Sequence, residues 1–168
     1  MKQSFLFESE NFGFRSVTEN DFDYFQILDA DPEIMSFFPS GVRSTREIQD
    51  KIIKYVSGYK KNGYGVFLVF DLTSGEFVGR AGFDDIESGE TEVGYVVLKK
   101  YWGKGFASRI LKALLSWAKN NIHKDKIIAF TPTNHIASER VMQKAGMIYS
   151  GNHIMKGVDC VLYEYKLT

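Results

Sequence analysis

Hydrophobic positions along this chain change period several times, and each change predicts an element. Within residues 1–17, Phe5, Phe7, Phe12 and Phe14 fall in alternating pairs, which predicts one or two strands with Arg15 on the face opposite Phe12 and Phe14. Phe22, Phe25 and Leu28 then recur at helical spacing. The preceding Thr18-Glu-Asn-Asp21 is expected to start that helix, with Thr18 as its cap and Asp21 in the first turn. Asp31-Pro32 ends it and opens a short helix, because proline suits the first helical position. Ser44-Thr-Arg-Glu47 has the form of a capping box. The helix behind it carries Ile48, Ile52, Tyr55, Val56 and Tyr59 on one face until Asn62-Gly63 stops it.

Strand signals follow. Residues 66–71 are nearly all apolar and read as a central strand, turned by Thr73-Ser-Gly75 into a partner at 77–83. Residues 84–90 read as an acidic loop and 91–98 as the next strand. From Phe106 the period becomes helical again, through Ile110, Leu114 and Trp117 to about residue 120. A strand at 126–131, a helix at 136–145 capped by Gly146, and two strands at 147–155 and 158–166 complete the chain. Mixed elements with one β-α-β passage predict an α/β or α+β layered domain, a mixed sheet with helices on both faces. It is expected to fill 1–168 as one domain, since there is no repeat, low-complexity segment or linker.

Composition narrows the partners. A chain of 168 residues suits one domain and can bury roughly 70% of its unfolded surface. Lys plus Arg equals Asp plus Glu at 21 each, so no global basic footprint points to nucleic acid. No stretch approaches the roughly 20 apolar residues of a membrane span, and Phe5-Leu6-Phe7 is too short for a signal-peptide core. The single Cys160 excludes an intrachain disulfide and suits a reducing compartment, so a cytoplasmic protein is expected. Its apolar neighbours favour a packed thiol over a nucleophile. His123, His135 and His153 show no metal-ligand spacing, and no metal is expected. A monomer and a homodimer fit equally.

Chemistry concentrates where the strand at 91–98 passes through Lys100-Tyr-Trp-Gly-Lys-Gly105 into the helix at Phe106. A strand that turns through glycines into a helix leaves several N–H groups unpaired and pointing one way, with the positive end of the helix dipole behind them. That arrangement suits a phosphate or pyrophosphate. Gly103 and Gly105 let the backbone approach the anion, and Lys104 adds positive charge.

The run Lys100-x-x-Gly103-x-Gly105 resembles the acetyl-coenzyme A loop of the GNAT N-acetyltransferases, with Lys100 where the family more often has glutamine or arginine. Tyr101-Trp-Gly-Lys-Gly-Phe-Ala107 is similar to the branch that includes ribosomal-protein N-terminal (alpha-amino) acetyltransferases and related small-amine acetyltransferases. The resemblance covers nearly the whole chain. It implies the GNAT fold, in which the strands at 92–98 and 126–131 splay apart and hold acetyl-coenzyme A between them. It also implies that the backbone of Val96, Val97 and Leu98 bonds the pantetheine amides. The N–H groups of Gly103, Lys104, Gly105, Phe106 and Ala107, with the Ser108 hydroxyl, would hold the pyrophosphate. Asn134-His-Ile-Ala-Ser138, followed by Lys144-Ala-Gly146, is similar to the family's Asn-x-x-Ser helix and Lys-x-Gly. The spacing here is one residue longer, so either the loop carries an extra residue or His135 takes the place of Asn134 as a pantetheine contact. Read by itself, Asn134 is a helix N-cap.

The implied reaction is attack of a primary amine on the acetyl thioester. It needs a neutral amine, a stabilised oxyanion and a proton for the departing thiolate. Glu92 is the candidate base, because Glu92, Gly94 and Val96 share one strand face and Glu92 matches the acid of the family's Glu-x-Gly-Tyr. The plain alternative is an exposed strand carboxylate, and Asp84 and Asp85 are in reserve. The last helix has Val141 or Met142 where many family members have a tyrosine acid, so the resemblance assigns the thiolate to Ser138. A backbone N–H near Val96 or Val97 would hold the oxyanion. The expected protein is an acetyl-CoA-dependent N-acetyltransferase acting on a protein N-terminal α-amine. A polyamine, amino acid or aminoglycoside-like acceptor is the alternative. A non-catalytic acetyl-CoA sensor is a third reading, opposed by the presence of both Glu92 and Ser138. Segments 35–43, 84–90 and 151–156 are expected to meet the acceptor.

Overall fold

The computed structural model describes residues 3–168, so the first two positions of the strand reading at 1–17 lie outside the described residues. The hairpin β1 (Phe7–Ser9) and β2 (Phe12–Ser16) leads to α1 (Phe22–Asp29) and the short α2 (Pro32–Met35). Helix α3 (Thr45–Asn62) opens on the Ser44–Glu47 capping box and closes on Gly63 in the left-handed conformation. An antiparallel meander follows: β3 (Val66–Asp71), β4 (Phe77–Asp85) and β5 (Thr91–Val97). A single 3-10 turn at Lys99–Tyr101 leads into α4 (Phe106–Asn121). Then come β6 (Lys126–Pro132), α5 (Ile136–Lys144), β7 (Ile148–Met155) and β8 (Val158–Lys166). The sheet runs β1-β2-β3-β4-β5-β6-β8-β7, antiparallel at every step except β5–β6.

Strand alternation decides which helix covers which face. Phe12, Phe14, Phe67 and Val69 pack with Ile110, Leu111 and Leu114 of α4. Val66, Leu68 and Phe70 point the other way, onto Phe25 of α1 and Ile48 and Ile52 of α3. Leu28, Ile34 and Met35 close over Val96 on that second face. Phe14 and Phe67 are fully buried, and truncating a ring of this kind to alanine costs about 3–5 kcal/mol. These two faces fix β4 and β5 rigidly in the centre of the molecule, where the site is built. No helix among the described residues is long and apolar enough to cross a membrane.

Asp21, not Thr18, occupies the cap position of α1, and its side chain caps no helical N–H. Its carboxylate instead accepts from the Thr18 N–H at 2.7 Å and pairs with Arg15 at 2.8 Å. The Arg15 guanidinium, on the α1–α3 face of β2 over Tyr24 and Phe70, draws the acid away from the helix end, so Asp21 ties the β2–α1 connection together. Strand β4 continues through Asp84 and Asp85, opposite Glu92 and Thr91, and this shortens the acidic loop to 86–90.

Candidate active site

Strands β5 and β6 are in register at one pair, Glu92 with Ile128. The β4–β5 ladder, by contrast, runs from Asp85 and Thr91 to Gly79 and Val97. β5 therefore stays with β4 and leaves β6, and a cleft of about 880 Å³ opens beside it. The start of α4 lies along the cleft, α5 enters from one side, and α3 and the α2–α3 connection line the other.

The loop end of the cleft is made of backbone. Gly103 and Gly105 have φ of 70° and 78°, where any L side chain is strained. Gly105 sits at the cap position of α4 with no side chain capping the helix, and the first turn carries no acid. The first helical bond is Arg109 N–H to the Gly105 carbonyl at 3.2 Å. The N–H groups of Gly103 through Ala107 find no backbone acceptor among the described residues. Gly103, Gly105, Phe106, Ala107 and Ser108 line the cleft, whereas Lys104 and Lys100 do not. Lys100 turns to Glu76 at 2.9 Å. Unpaired donors at a helix start, with no competing carboxylate, fit the pyrophosphate of a coenzyme.

Val96 and Val97 line the cleft, and Leu98 does not. Its N–H bonds the Val78 carbonyl at 2.9 Å and its own carbonyl accepts from Tyr101 N–H at 3.0 Å. Both backbone groups are already used, because β5 hands over to the 3-10 turn at this residue. The Val97 carbonyl accepts from the Trp102 indole at 2.9 Å, which pins the loop to the strand.

Ser138, near the start of α5, is buried and lines the cleft. Its hydroxyl lies 2.7 Å from the phenol oxygen of Tyr95, which is also 3.1 Å from the Ser138 carbonyl. Burial pushes the Tyr95 phenol well up, against the opposing bond from Ser138, so it stays protonated at neutral pH. A tyrosine is thus present in the cleft on β5, in contact with Ser138, although α5 carries none. Sequence reasoning missed it, although Tyr95 stands next to Gly94 in the run already singled out. Asn134 is exposed and outside the cleft, and it is not the cap of α5; His135 holds that position. His135 lines the cleft and stacks on Phe37 at 3.6 Å between centroids. Burial lowers the His135 pKa, so the ring is neutral near pH 7.

A family model for the acetyltransferase (GNAT) domain matches residues 11–148. This chain belongs to the GNAT family. Bacillus subtilis YkkB is 32% identical over 149 residues, 84% of this chain and 84% of that protein. The ribosomal-protein-S5-alanine acetyltransferase of Vibrio fischeri superposes with a TM-score of 0.77 at 19% identity, covering 95% of each chain. Spermidine N-acetyltransferase of Vibrio cholerae, solved with CoA and spermine, gives 0.78 at 17% identity, covering 94% of this chain and 96% of that one. As a GNAT protein the chain is an acetyl-CoA-dependent acyltransferase that acts on amines.

In this GNAT chain the end of the cleft away from the loop is made of side chains. On the α1–α3 face β4 presents Arg80, Gly82 and Asp84 opposite Val96, Gly94 and Glu92 of β5. Gly82 faces Gly94, so no side chain rises between the two flanking pairs, and a trough results. A Cβ on Gly94 would meet nothing within 4 Å, whereas one on Gly82 would run into the backbone of Gly65 and Val66, so the trough is open on the β5 side. Glu92 lines the trough, and burial raises its carboxyl above the usual range while the nearby Lys156 opposes that. Asp84 also lines it but is held by Lys54 at 2.8 Å. Asp85 lies outside the cleft. Burial would raise its carboxyl, but hydrogen bonds from Thr91, Tyr64 and Lys124 outweigh that and hold it low. Of the three carboxylates, geometry and basicity both favour Glu92 as a proton acceptor. Cys160 lines the cleft from β8 with its thiol pushed up by burial, in keeping with a packed, protonated side chain. Among the described residues no group of three metal-ligating side chains forms.

Proposed function

We propose that this chain, with 1–168 acting as one catalytic unit, transfers acetyl from acetyl-CoA to a primary amine, and that the amine is a protein N-terminal α-amine. The observation that carries the transfer reading is one cleft lined by Gly103, Gly105, Phe106 and Ala107 of the donor cradle, by Ser138 with Tyr95, and by Glu92, which has no salt-bridge partner among the described residues. The reported likeness to a ribosomal-protein alanine acetyltransferase supports the N-terminal acceptor. The cytoplasm is the natural setting, supported by one buried cysteine and by use of acetyl-CoA.

Each residue has a defined task. The N–H groups of Gly103, Lys104, Gly105, Phe106 and Ala107, with Ser108, hold the pyrophosphate; Val96 and Val97 flank the pantetheine arm, with His135 rather than Asn134 beside it. Bound acetyl-CoA supplies the thioester electrophile. Glu92 takes the proton of the incoming amine, directly or through water. The Ser138 hydroxyl, in contact with Tyr95, meets the thiolate and gives it a hydrogen bond or a proton. Release of free thiol from acetyl-CoA, screened side by side over N-terminal peptides and small amines, tests the reading. Glu92→Gln keeps the shape but cannot accept a proton, so kcat is expected to fall roughly a hundredfold and the acidic limb of the pH–rate profile to flatten. An unchanged profile in Glu92→Gln would move the base to Asp84 or remove it from the mechanism.

A further inference from the structure

At the Arg80 end of the trough the cations outnumber their partners. Asp29 is fully buried behind the trough and its one carboxylate serves two guanidiniums, Arg80 directly and Arg43 at 3.3 Å. Arg80 is itself buried and lies over the Phe25 ring at 5.2 Å, so it cannot swing out to water. Lys51 reaches the same cleft from α3, packed over Tyr55 at 5.4 Å, with no carboxylate within salt-bridge distance among the described residues. Burial and then the guanidiniums of Arg80 and Arg43 pull the Lys51 pKa down to about 7. These charges line the cleft together with Gly94 and Glu92, the place where the amine must stand.

Resting on the transfer reading above, we infer that the acceptor carries a carboxylate close to its amine, bound by Arg43, Lys51 and Arg80 while the amine faces Glu92. The physical argument is charge matching. A half-enclosed site with surplus positive charge repels a polycation such as a polyamine, and a carboxylate there gains charge-assisted hydrogen bonds from donors already fixed in place. Gly94, where a Cβ would meet nothing within 4 Å, leaves room beside β5 between the anion-binding end and the base. The carboxylate has two available sources, the α-carboxyl of a free amino acid or an acidic side chain near a peptide N-terminus, and the chemistry recognised is the same.

Matched acceptors test this. Free α-amino acids are compared with their carboxamides, peptides with glutamate at the second position with their glutamine twins, and both sets with spermidine, rates being expressed per neutral amine. Acids are expected to exceed their amides by roughly ten- to a hundredfold in kcat/KM, the range of a hydrogen bond to a charged group. Which pair shows the larger ratio identifies the source. Lys51→Gln and Arg43→Gln, both at less buried positions than Arg80, should each draw the acid-to-amide ratio toward one. Equal or better use of the amides, or preference for spermidine, overturns the inference while leaving acetyl transfer intact. If no amine is turned over although acetyl-CoA binds, the transfer reading falls. Calorimetric binding of the same acids and amides then decides the charge claim alone: tighter acids uphold it, and equal binding ends it.

Discussion

At the α4 end of the cleft the ligand-facing donors are backbone N–H groups of one continuous run, 103–107. At the α3 end they are side chains gathered from separate segments: Arg43 before α3, Lys51 on α3, Arg80 on β4 and Lys156 in the β7–β8 turn. A backbone cradle is indifferent to most side chains and is defeated by bulk or negative charge. A side-chain cluster behaves in the opposite way, since each substitution changes its net charge and leaves a partner unmatched. The first device suits a ligand common to a whole family, and the second suits an acceptor that differs between members.

Four experiments sharpen that contrast, beginning with the largest effect. Asp29→Ala removes the only carboxylate that, among the described residues, lies within salt-bridge distance of the Arg43 and Arg80 guanidiniums, and a loss of about 3–5 kcal/mol is expected in denaturant melts. A loss below about 1 kcal/mol would mean that Arg43 and Arg80 find other partners. Gly105→Glu introduces a side chain at φ of 78° and a negative charge into the cradle. Acetyl-CoA affinity should fall at least about a hundredfold by calorimetry, near 2.7 kcal/mol. Lys104→Ala, outside the cleft, should change it by less than about threefold. If the two variants lose equally, charge rather than backbone holds the pyrophosphate.

Ser138→Ala should lower kcat by about tenfold to a hundredfold with little change in KM for acetyl-CoA, and Tyr95→Phe by a smaller factor. Equal rates in Tyr95→Phe and wild type would reduce the phenol to a packing role. The smallest effect concerns pH. The Lys51 pKa is lowered to about 7, so its charge is present below neutrality and lost as pH rises through that value. The groups that face it are Arg80 of β4, Arg43 before α3, Asp29 of α1, Tyr55 of α3, Lys156 of the β7–β8 turn and Glu92 of β5. Of the carboxylates among these, Glu92 is the one that burial raises above its ordinary value. The KM of a carboxylate-bearing acceptor, per neutral amine, should rise a fewfold between about pH 6 and pH 8. Lys51→Arg, which keeps its charge, should remove that rise. Persistence of the slope in Lys51→Arg would assign it to Glu92.

Much of the fold was legible because its signals are local. The Ser44 capping box, the Asp31-Pro32 helix start and the left-handed Gly63 each stand where the pattern put them. The misread start of α1 depended on Arg15, six residues away and on another element. The acidic loop was misread because Asp84 and Asp85 are poor strand residues by propensity, yet the register with β5 carries β4 through them. Leu98 is apolar and continues the strand pattern, and nothing in its side chain tells that its backbone is used up by Val78 and Tyr101.

The proposed cofactor end was legible in the chain itself, because glycines, a strand and a helix start adjacent in the chain suffice to leave N–H groups aimed one way. The sequence by itself also determined the family, through that same run and the Ser138 helix. What stands opposite that end depends on packing between elements distant in the chain. Tyr95 and Ser138 are 43 residues apart and meet because β5 leaves β6 as α5 packs alongside. Arg43, Lys51 and Arg80 converge because α1 and α3 cover one face of β4, which brings Asp29 under two arginines. Such pairings depend on the angle at which helices cross a sheet, a property of the packed core as a whole that no short stretch of the chain records.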